Sequence, residues 1–170
     1  LGGIEKTEAG NLIAVIYYKE FRAVIPITEM MINLLQDEAH DYGSLSLRQN
    51  KVLNNMLGCE IDFIIKGLDT KTRSIVASRK EAMLKKRQIF YLDQDVSGQT
   101  KVYVDRIVQA RVIAVAKKVV RTEIFGIETS IPARDLSFDW LGDARERFHV
   151  GEHILVRILN VVAVSYTHLT

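Results

Sequence analysis

Aromatic rings and cations flank both prolines of the chain, at the spacing of residues on one face of a β-strand. The prolines are Pro26 and Pro132, and each follows an isoleucine. Successive side chains of a strand point to opposite faces, so counting back in twos from each isoleucine puts Phe21, Ala23, Ile127 and Thr129 inward and leaves Arg22 outward. The preceding strands are aligned with each other by their distance from the proline, which puts Tyr17, Lys19, Arg121 and Phe125 outward.

The outward set has the chemistry of a surface that binds single-stranded nucleic acid. Cations contact the phosphates, and each base stacked on a flat side chain contributes about 1–3 kcal/mol. Three further cations join the set: Lys117 and Lys118 at the turn before the second pair of strands, and Arg134 after the second proline. We expect these residues to contact single-stranded nucleic acid.

The only concentrated positive charge lies in the middle of the chain. Residues 78–92 contain five Lys/Arg and one Glu, although the whole chain has a formal net charge of only +2. Ser78 and Glu81 form a capping box ahead of an apolar stripe, which predicts the start of a helix. Lys85 and Lys86 are the candidate phosphate contacts of this basic helix.

Each candidate also has a purely structural interpretation. Tyr17 could be a strand former half buried in a barrel wall, and the two lysines could form an ordinary solvated turn. The basic run could be a solvated helix face. Trp140, flanked by Phe138 and Leu141, has the pattern of a core residue rather than of a stacking platform.

Sequence patterns typical of enzymes and metal sites are absent. No P-loop, GxSxG or GxGxxG motif occurs. His149 and His153 are separated by Gly151 at a predicted strand start, and no cysteine pair supports them, which argues against zinc. We therefore expect no catalytic activity, no cofactor, no metal and no small-molecule substrate.

Composition favours a folded protein of the cytoplasm. Hydrophobic residues make up 48% of 170 residues, enough to build cores. The single cysteine, Cys59, excludes an internal disulfide, in agreement with a reducing compartment. The apolar run ILVRILNVVAV is broken by Arg157 and is too short to span a membrane.

One pattern occurs twice: a strand, a turn, a strand ending in Ile-Pro, a connector, a glycine and a further strand. In the first copy, Ser46 and Gln49 predict a helix that Gly58 ends, and a hairpin joins residues 61–66 to a closing strand. Four or five strands and one helix in about 75 residues predict an OB-type barrel. The predicted fold is mainly β, with two tandem five-stranded barrels joined by the basic helix; one mixed α+β domain is the alternative.

The repeated frame resembles the S1-type RNA-binding domain. ASRKEA at 77–82 is similar to the ending of such domains, and GIETSIPARDL at 126–136 is similar to their glycine-to-proline segment. The resemblance extends over residues 10–163 and includes ribosomal protein S1 and S1-domain proteins of bacterial mobile elements. It implies OB folds, a bacterial cytoplasmic protein and binding to single-stranded RNA, with the ribosome as a further partner. Family members usually carry a Gly-aromatic pair where this chain has Lys118-Val119-Val120.

The resulting hypothesis is a non-catalytic RNA-binding module that acts in translation. The alternative is a protein-interaction adaptor, favoured by the small net charge and by the missing aromatic residue; an accessory domain of a ribonuclease is a third possibility. The predicted division is a first barrel at 1–78, a helical basic linker and loop at 79–104, a second barrel at 105–164 and a non-native tail at 165–170. Both barrels are expected to be truncated, the first in its opening strand and the second in its closing strand, so the second should fray from its C-terminal side.

Overall fold

The chain forms two β-sheets that are separated along the sequence by a short helix. The structure is a computed structural model that describes residues 1–30 and 42–162. No helix in these two ranges is long and apolar enough to cross a membrane. The predicted non-native tail at 165–170 lies outside the described residues.

The first sheet has five strands in the order β1-β2-β3-β5-β4. Neighbouring strands are antiparallel except β3 and β5, which are parallel. A helix, α1, precedes β4. The bounds are β1 Gly3–Lys6, β2 Leu12–Tyr18, β3 Phe21–Pro26, α1 Tyr42–Asn55, β4 Ile64–Asp69 and β5 Ser74–Ser78.

The second sheet has four antiparallel strands in the order β8-β7-β6-β9. The helix α2, Arg79–Arg87, begins directly after β5, and a wider helical turn at Gln88–Leu92 follows it. The strands are β6 Ile107–Val115, β7 Val119–Ile124, β8 Ile127–Pro132 and β9 His153–Arg157. Neither sheet closes on itself within the described ranges.

The repeated Ile-Pro hairpin is confirmed down to its register. Ile13 pairs with Pro26 in the first hairpin, and Val119 pairs with Pro132 in the second. Each hairpin turns through two residues, and the first of them has a positive φ: 53° at Lys19 and 49° at Phe125. Each proline ends its strand and is followed at once by a single 3-10 turn.

The predicted helix and hairpin of the first copy are present with different bounds. The helix begins at Tyr42, four residues before Ser46, so the capping box predicted at Ser46 and Gln49 is wrong. Gly58 follows the helix with a φ of 84°, a left-handed conformation that favours glycine. The hairpin strand begins at Ile64 rather than at Ile61 and contains a register shift between Ile65 and Gly67.

The second predicted capping box is confirmed in its Ser78 half only, because the Glu81 carboxylate accepts from Lys66 at 2.6 Å. The Ser78 hydroxyl accepts a hydrogen bond of 3.0 Å from the backbone N–H of Glu81 and donates one of 2.5 Å to the Glu29 carboxylate. Because Glu29 lies in the 3-10 turn after β3, the N-terminus of α2 is attached to the first sheet.

Arg79, the first residue of α2, is buried between groups from both sheets. Its side chain is only 1% exposed. One guanidinium nitrogen, Nη1, donates to the Met30 carbonyl oxygen at 2.9 Å and to Glu128 at 3.0 Å, and Nη2 lies 3.4 Å from Glu123. Glu123 and Glu128 are direct cross-strand partners in β7 and β8, where like charges repel unless a cation lies between them. Arg79 is that cation.

The rest of the basic helix is also engaged within the protein. Arg87 is buried and donates from Nε to the Gly126 carbonyl oxygen at 2.8 Å, and Lys86 forms an ion pair with Asp62. Asp62 also forms an ion pair with Arg111 of β6, whose Nη1 lies 3.1 Å from the carboxylate. The interpretation of the run as a solvated face is therefore wrong for Arg79 and Arg87, which are buried. Lys86 is partly exposed and already paired, and its contact with phosphate stays a prediction. Lys85 remains exposed.

Three clusters of buried side chains form the core. The first is built from the first sheet and α1, and Ile113 of β6 is part of it, so the two sheets share apolar packing. The second and third lie on the second sheet and include Val108 and Val112 respectively. Burial of this kind is the main favourable term in folding.

The first prediction concerns Arg79. In Arg79→Met the buried Glu123 and Glu128 lose their shared cation, which costs about 3–5 kcal/mol for a buried pair. We expect the low end of that range, because Arg121 still contacts Glu128 at 2.8 Å. Urea denaturation measures this loss. The control is Arg73→Met, which removes an exposed ion pair to Glu20 and should change stability by less than about 1 kcal/mol; equal losses in the two variants would contradict the assignment.

The second prediction is a pH dependence. Burial alone raises the pKa of Glu128, but the charge of Arg79 and the hydrogen bonds from Arg121 and Arg79 hold it below the ordinary value of 4.5. A lowered carboxyl pKa contributes stability that is present above the unfolded pKa and is lost as the pH falls through the folded pKa. Glu128→Gln should therefore be less stable than the original protein at neutral pH and lose less stability between about pH 5 and about pH 3.

Melting temperatures across that range measure the effect, with the exposed Glu20→Gln as the control. Parallel curves for the original protein and Glu128→Gln would show that the ionised carboxylate contributes nothing.

The third prediction concerns the hairpin tip against α2. Gly126 has a φ of 89°, and a Cβ there would lie 2.3 Å from the Met83 carbonyl oxygen. The control glycine, Gly98, has a φ of 82° with no atom within 4 Å of a Cβ, so Gly98→Ala adds backbone strain alone, about 1–2 kcal/mol. Gly126→Ala should cost about 1–3 kcal/mol more, because an atom is forced into a packed contact. Equal melting temperatures would place α2 away from this hairpin.

Candidate nucleic-acid interface

Three of the predicted cations, Lys117, Lys118 and Arg134, lie at the end of β7 and β8 that is remote from the hairpin tip. The turn before β7 is closed by a hydrogen bond of 2.8 Å from the Ala116 N–H to the Val119 carbonyl oxygen. The carbonyl oxygens of Lys117 and Lys118 accept from the N–H groups of Ala144 and Ala133, at 2.7 and 2.9 Å. The backbone of the turn therefore holds the connector in place, while both lysine side chains are exposed.

A groove of about 730 Å³ opens at this end of the hairpin. That volume lies within the range of about 300–1,000 Å³ that is usual for ligand clefts. Its wall combines two cations and two large aromatic rings with smaller polar and apolar residues. The lining residues are Lys118, Val119, Pro132, Ala133, Arg134, Ser137, Phe138, Asp139, Trp140, Leu141 and Gly142.

The acidic side chains around the groove have closer ion-pair partners than the basic side chains that were predicted to contact phosphates. Two acids of the connector are paired with their own arginines: Asp143 with Arg145 at 2.6 Å, and Asp139 with Arg147 at 3.6 Å. The hydrogen bonds from Arg145 lower the pKa of Asp143 to about 2, so this carboxylate is ionised at neutral pH.

The cations that were predicted to contact phosphates have few carboxylates near them. Among the described residues Lys117 and Lys118 form no ion pair within 4.0 Å. Arg134 is 87% exposed and lies 3.9 Å from Asp135. Of the predicted RNA contacts in this unit, Lys118 and Arg134 thus share one groove, and Lys117 is the neighbour of Lys118 in the turn.

Arg121 and Phe125 lie toward the hairpin tip and have partners there. Arg121 points outward from β7, as predicted, but its guanidinium contacts Glu128 at 2.8 Å and Ser130 at 3.3 Å. Phe125 is not an outward strand residue: it lies in the turn, and its ring stacks on Phe90 with the centroids 4.0 Å apart. One face of the Phe125 ring is therefore covered by the protein itself.

The predicted inward set is confirmed in the first hairpin and partly wrong in the second. Ala23 is fully buried, and Phe21 packs against the first core. Ile127 is half-buried, but Thr129 is exposed, because its strand β8 lies at the edge of the sheet.

The outward residues of the first hairpin lie at its tip. Tyr17 is 71% exposed, which confirms its predicted orientation and excludes the barrel-wall interpretation. Lys19 is exposed, and its ammonium lies 5.2 Å from the centroid of the Tyr18 ring. Arg22 pairs across the strands with Tyr17 and forms an ion pair with Glu5.

Trp140 lies in a different environment from the one that its neighbours in the sequence predicted. It is 90% exposed and Phe138 is fully exposed, so the prediction of a core residue is wrong. The connector is fixed instead by Leu136 and Leu141, which pack against the third core. The polar neighbours of the two rings, Ser137 and Asp139, were the signal in the sequence that this stretch faces water.

No cluster of three or more His, Cys, Asp or Glu side chains in the described ranges is arranged to hold a metal ion. The interface offers cations that can contact phosphates and open rings that can contact flat groups. Neither element by itself distinguishes RNA from an acidic protein.

A comparison with protein families bears on this choice. Residues 101–163 match the family model of the S1 RNA binding domain. No curated protein matches the chain. The matched range contains all four strands of the second sheet, the turn with its two lysines and the whole groove. Residues 101–163 are therefore similar to the S1 RNA binding domain.

Proposed function

We propose that this protein binds single-stranded RNA without catalysing a reaction, through two OB-type units in series. The observation that carries the proposal is the S1 match over 101–163, which coincides with a cationic groove. Lys117, Lys118 and Arg134 supply charge for the phosphates, and the open rings beside them suit unpaired bases, since every base has a face that can stack.

The first unit is proposed as a second OB-type fold on the strength of two features that it shares with the second unit. Its hairpin has the same register as the hairpin of the matched range. Its Ile-Pro pair is followed by the same single 3-10 turn. The two units also differ, because the parallel pairing of β5 with β3 in the first sheet has no counterpart among the described strands of the second. Tyr17 and Lys19 are the proposed RNA contacts of the first unit.

The proposed RNA contacts differ in weight. Lys85 is exposed and available, whereas Lys86, Arg121 and Arg22 already hold carboxylates and would have to release them. Phe125 has one covered face. We expect these four residues to contribute less than the groove cations and Tyr17. A role in bacterial translation, with the ribosome as partner and a cytoplasmic location, extends the proposal.

A protein-interaction adaptor is the second candidate, and one observation favours it. Three aliphatic side chains of the β4–β5 hairpin are about half exposed: Ile65, Leu68 and Val76. Exposed apolar groups on neighbouring strands are typical of protein-binding surfaces. An accessory role beside a nuclease domain is compatible with either candidate.

The fourth prediction tests the RNA proposal through salt. Each phosphate contact on a single strand contributes about 0.7 to the slope of log affinity against log salt. Replacing Lys117, Lys118 and Arg134 with alanine should therefore lower the slope by about 2 for a labelled twelve-nucleotide oligo(U). Fluorescence polarization at several salt concentrations measures it.

The matched control replaces three exposed lysines outside the groove, Lys6, Lys51 and Lys71, with alanine, so both variants lose the same net charge. Equal slopes in the two triple variants would exclude this groove as the phosphate site. Failure of the original protein to bind the oligonucleotide at low salt would reject the RNA proposal in favour of the adaptor.

A further inference from the structure

We propose that Phe138 and Trp140 form a base-stacking subsite, in which the two rings hold unpaired nucleobases while Lys118 and Arg134 hold the adjoining phosphates. The inference rests on the proposed RNA binding and adds to it the part of the protein that recognises the bases. It concerns the connector after β8, which is separate from the strand faces from which the RNA contacts were first predicted.

The exposure of the two rings is the first argument. Phe138 and Trp140 are the two most exposed aromatic side chains among the described residues, and they are only two positions apart. Two large exposed rings beside one groove form an apolar surface, and a ligand that covers this surface removes it from water, which is favourable. Bases fit such a surface because stacking needs only a flat apolar face.

The second argument is that the backbone which carries the two rings is held in place, and that the Trp140 ring has a contact of its own. Leu136 and Leu141 anchor it in the third core on either side. Within it, the Ser137 hydroxyl accepts from the Asp139 N–H at 3.1 Å and from Arg147 at 2.9 Å. The far edge of the indole lies over the backbone of Gly142, where a Cβ would be 3.4 Å from it. A platform ordered before binding loses less entropy when its ligand arrives.

The third argument is charge complementarity within the same wall. Lys118 and Arg134 line the groove together with both rings. Its one acid, Asp139, is already paired with Arg147. The ring predicted to stack on bases from the strand face, Phe125, is stacked on Phe90 instead. Phe138 and Trp140 are therefore the open rings that lie next to the groove cations.

The test uses the fact that Trp140 is the only tryptophan of the chain. Its intrinsic fluorescence reports on this subsite alone. Unlabelled oligo(U) should quench it, with the same dissociation constant that polarization gives for the labelled strand. Trp140→Ala should weaken binding by about 5- to 150-fold, which corresponds to the loss of one stacked base, and Trp140→Phe should restore most of the affinity. Tyr103→Ala, an exposed ring outside the groove, is the control and should bind normally.

Each other outcome is informative about a different claim. Binding by polarization with no quenching, and with full affinity in Trp140→Ala, would overturn the subsite and leave RNA binding intact. Equal quenching by inorganic polyphosphate would show a response to charge and would also overturn stacking. Quenching by an acidic peptide but not by oligo(U) would assign the groove to a protein partner. Absence of any RNA binding by the original protein would overturn the proposed function itself.

Discussion

The burial of one charge, the Arg79 guanidinium, constrains the arrangement of the whole chain. An ionised group removed from water has to be paired, and the partners of Arg79 come from both sides: the Met30 carbonyl oxygen after the first sheet, and Glu123 and Glu128 in the second. Losing any one of them would leave a buried charge without full compensation. The helix that looks like a basic linker in the sequence is therefore a structural element between the sheets.

The two ends of the second hairpin have different surroundings: one contacts α2, and the other lines the groove. Near the tip, Glu123, Glu128 and Gly126 are engaged by Arg79 and Arg87 of α2. At the opposite end, the same two strands begin and finish at Val119 and Pro132, which line the open groove. A ligand can therefore occupy the groove without competing with the contact that holds the sheets together.

The sequence predicted what local patterns determine, and failed where partners far along the chain decide. The Ile-Pro hairpins and the Ser78 cap depend on neighbouring residues, and both are present. The S1 resemblance also agrees with the family match. The burial of Arg79 could not be predicted, because its carboxylates lie more than 40 residues away. Trp140 was assigned to the core because its flanking residues are apolar, yet Leu141 takes that place.

The two hairpins have the same strand register but present different surfaces. Their registers coincide, so the cross-strand pair Tyr17 and Arg22 of the first occupies the same place as Glu123 and Glu128 of the second. In the first hairpin this position stays open and presents a ring beside a cation. In the second, two facing carboxylates require a cation, and α2 supplies it, which closes that face. Once the face is occupied, any base contact of the second unit has to come from elsewhere, and the connector with its two open rings is the part of that unit that offers them beside the groove cations.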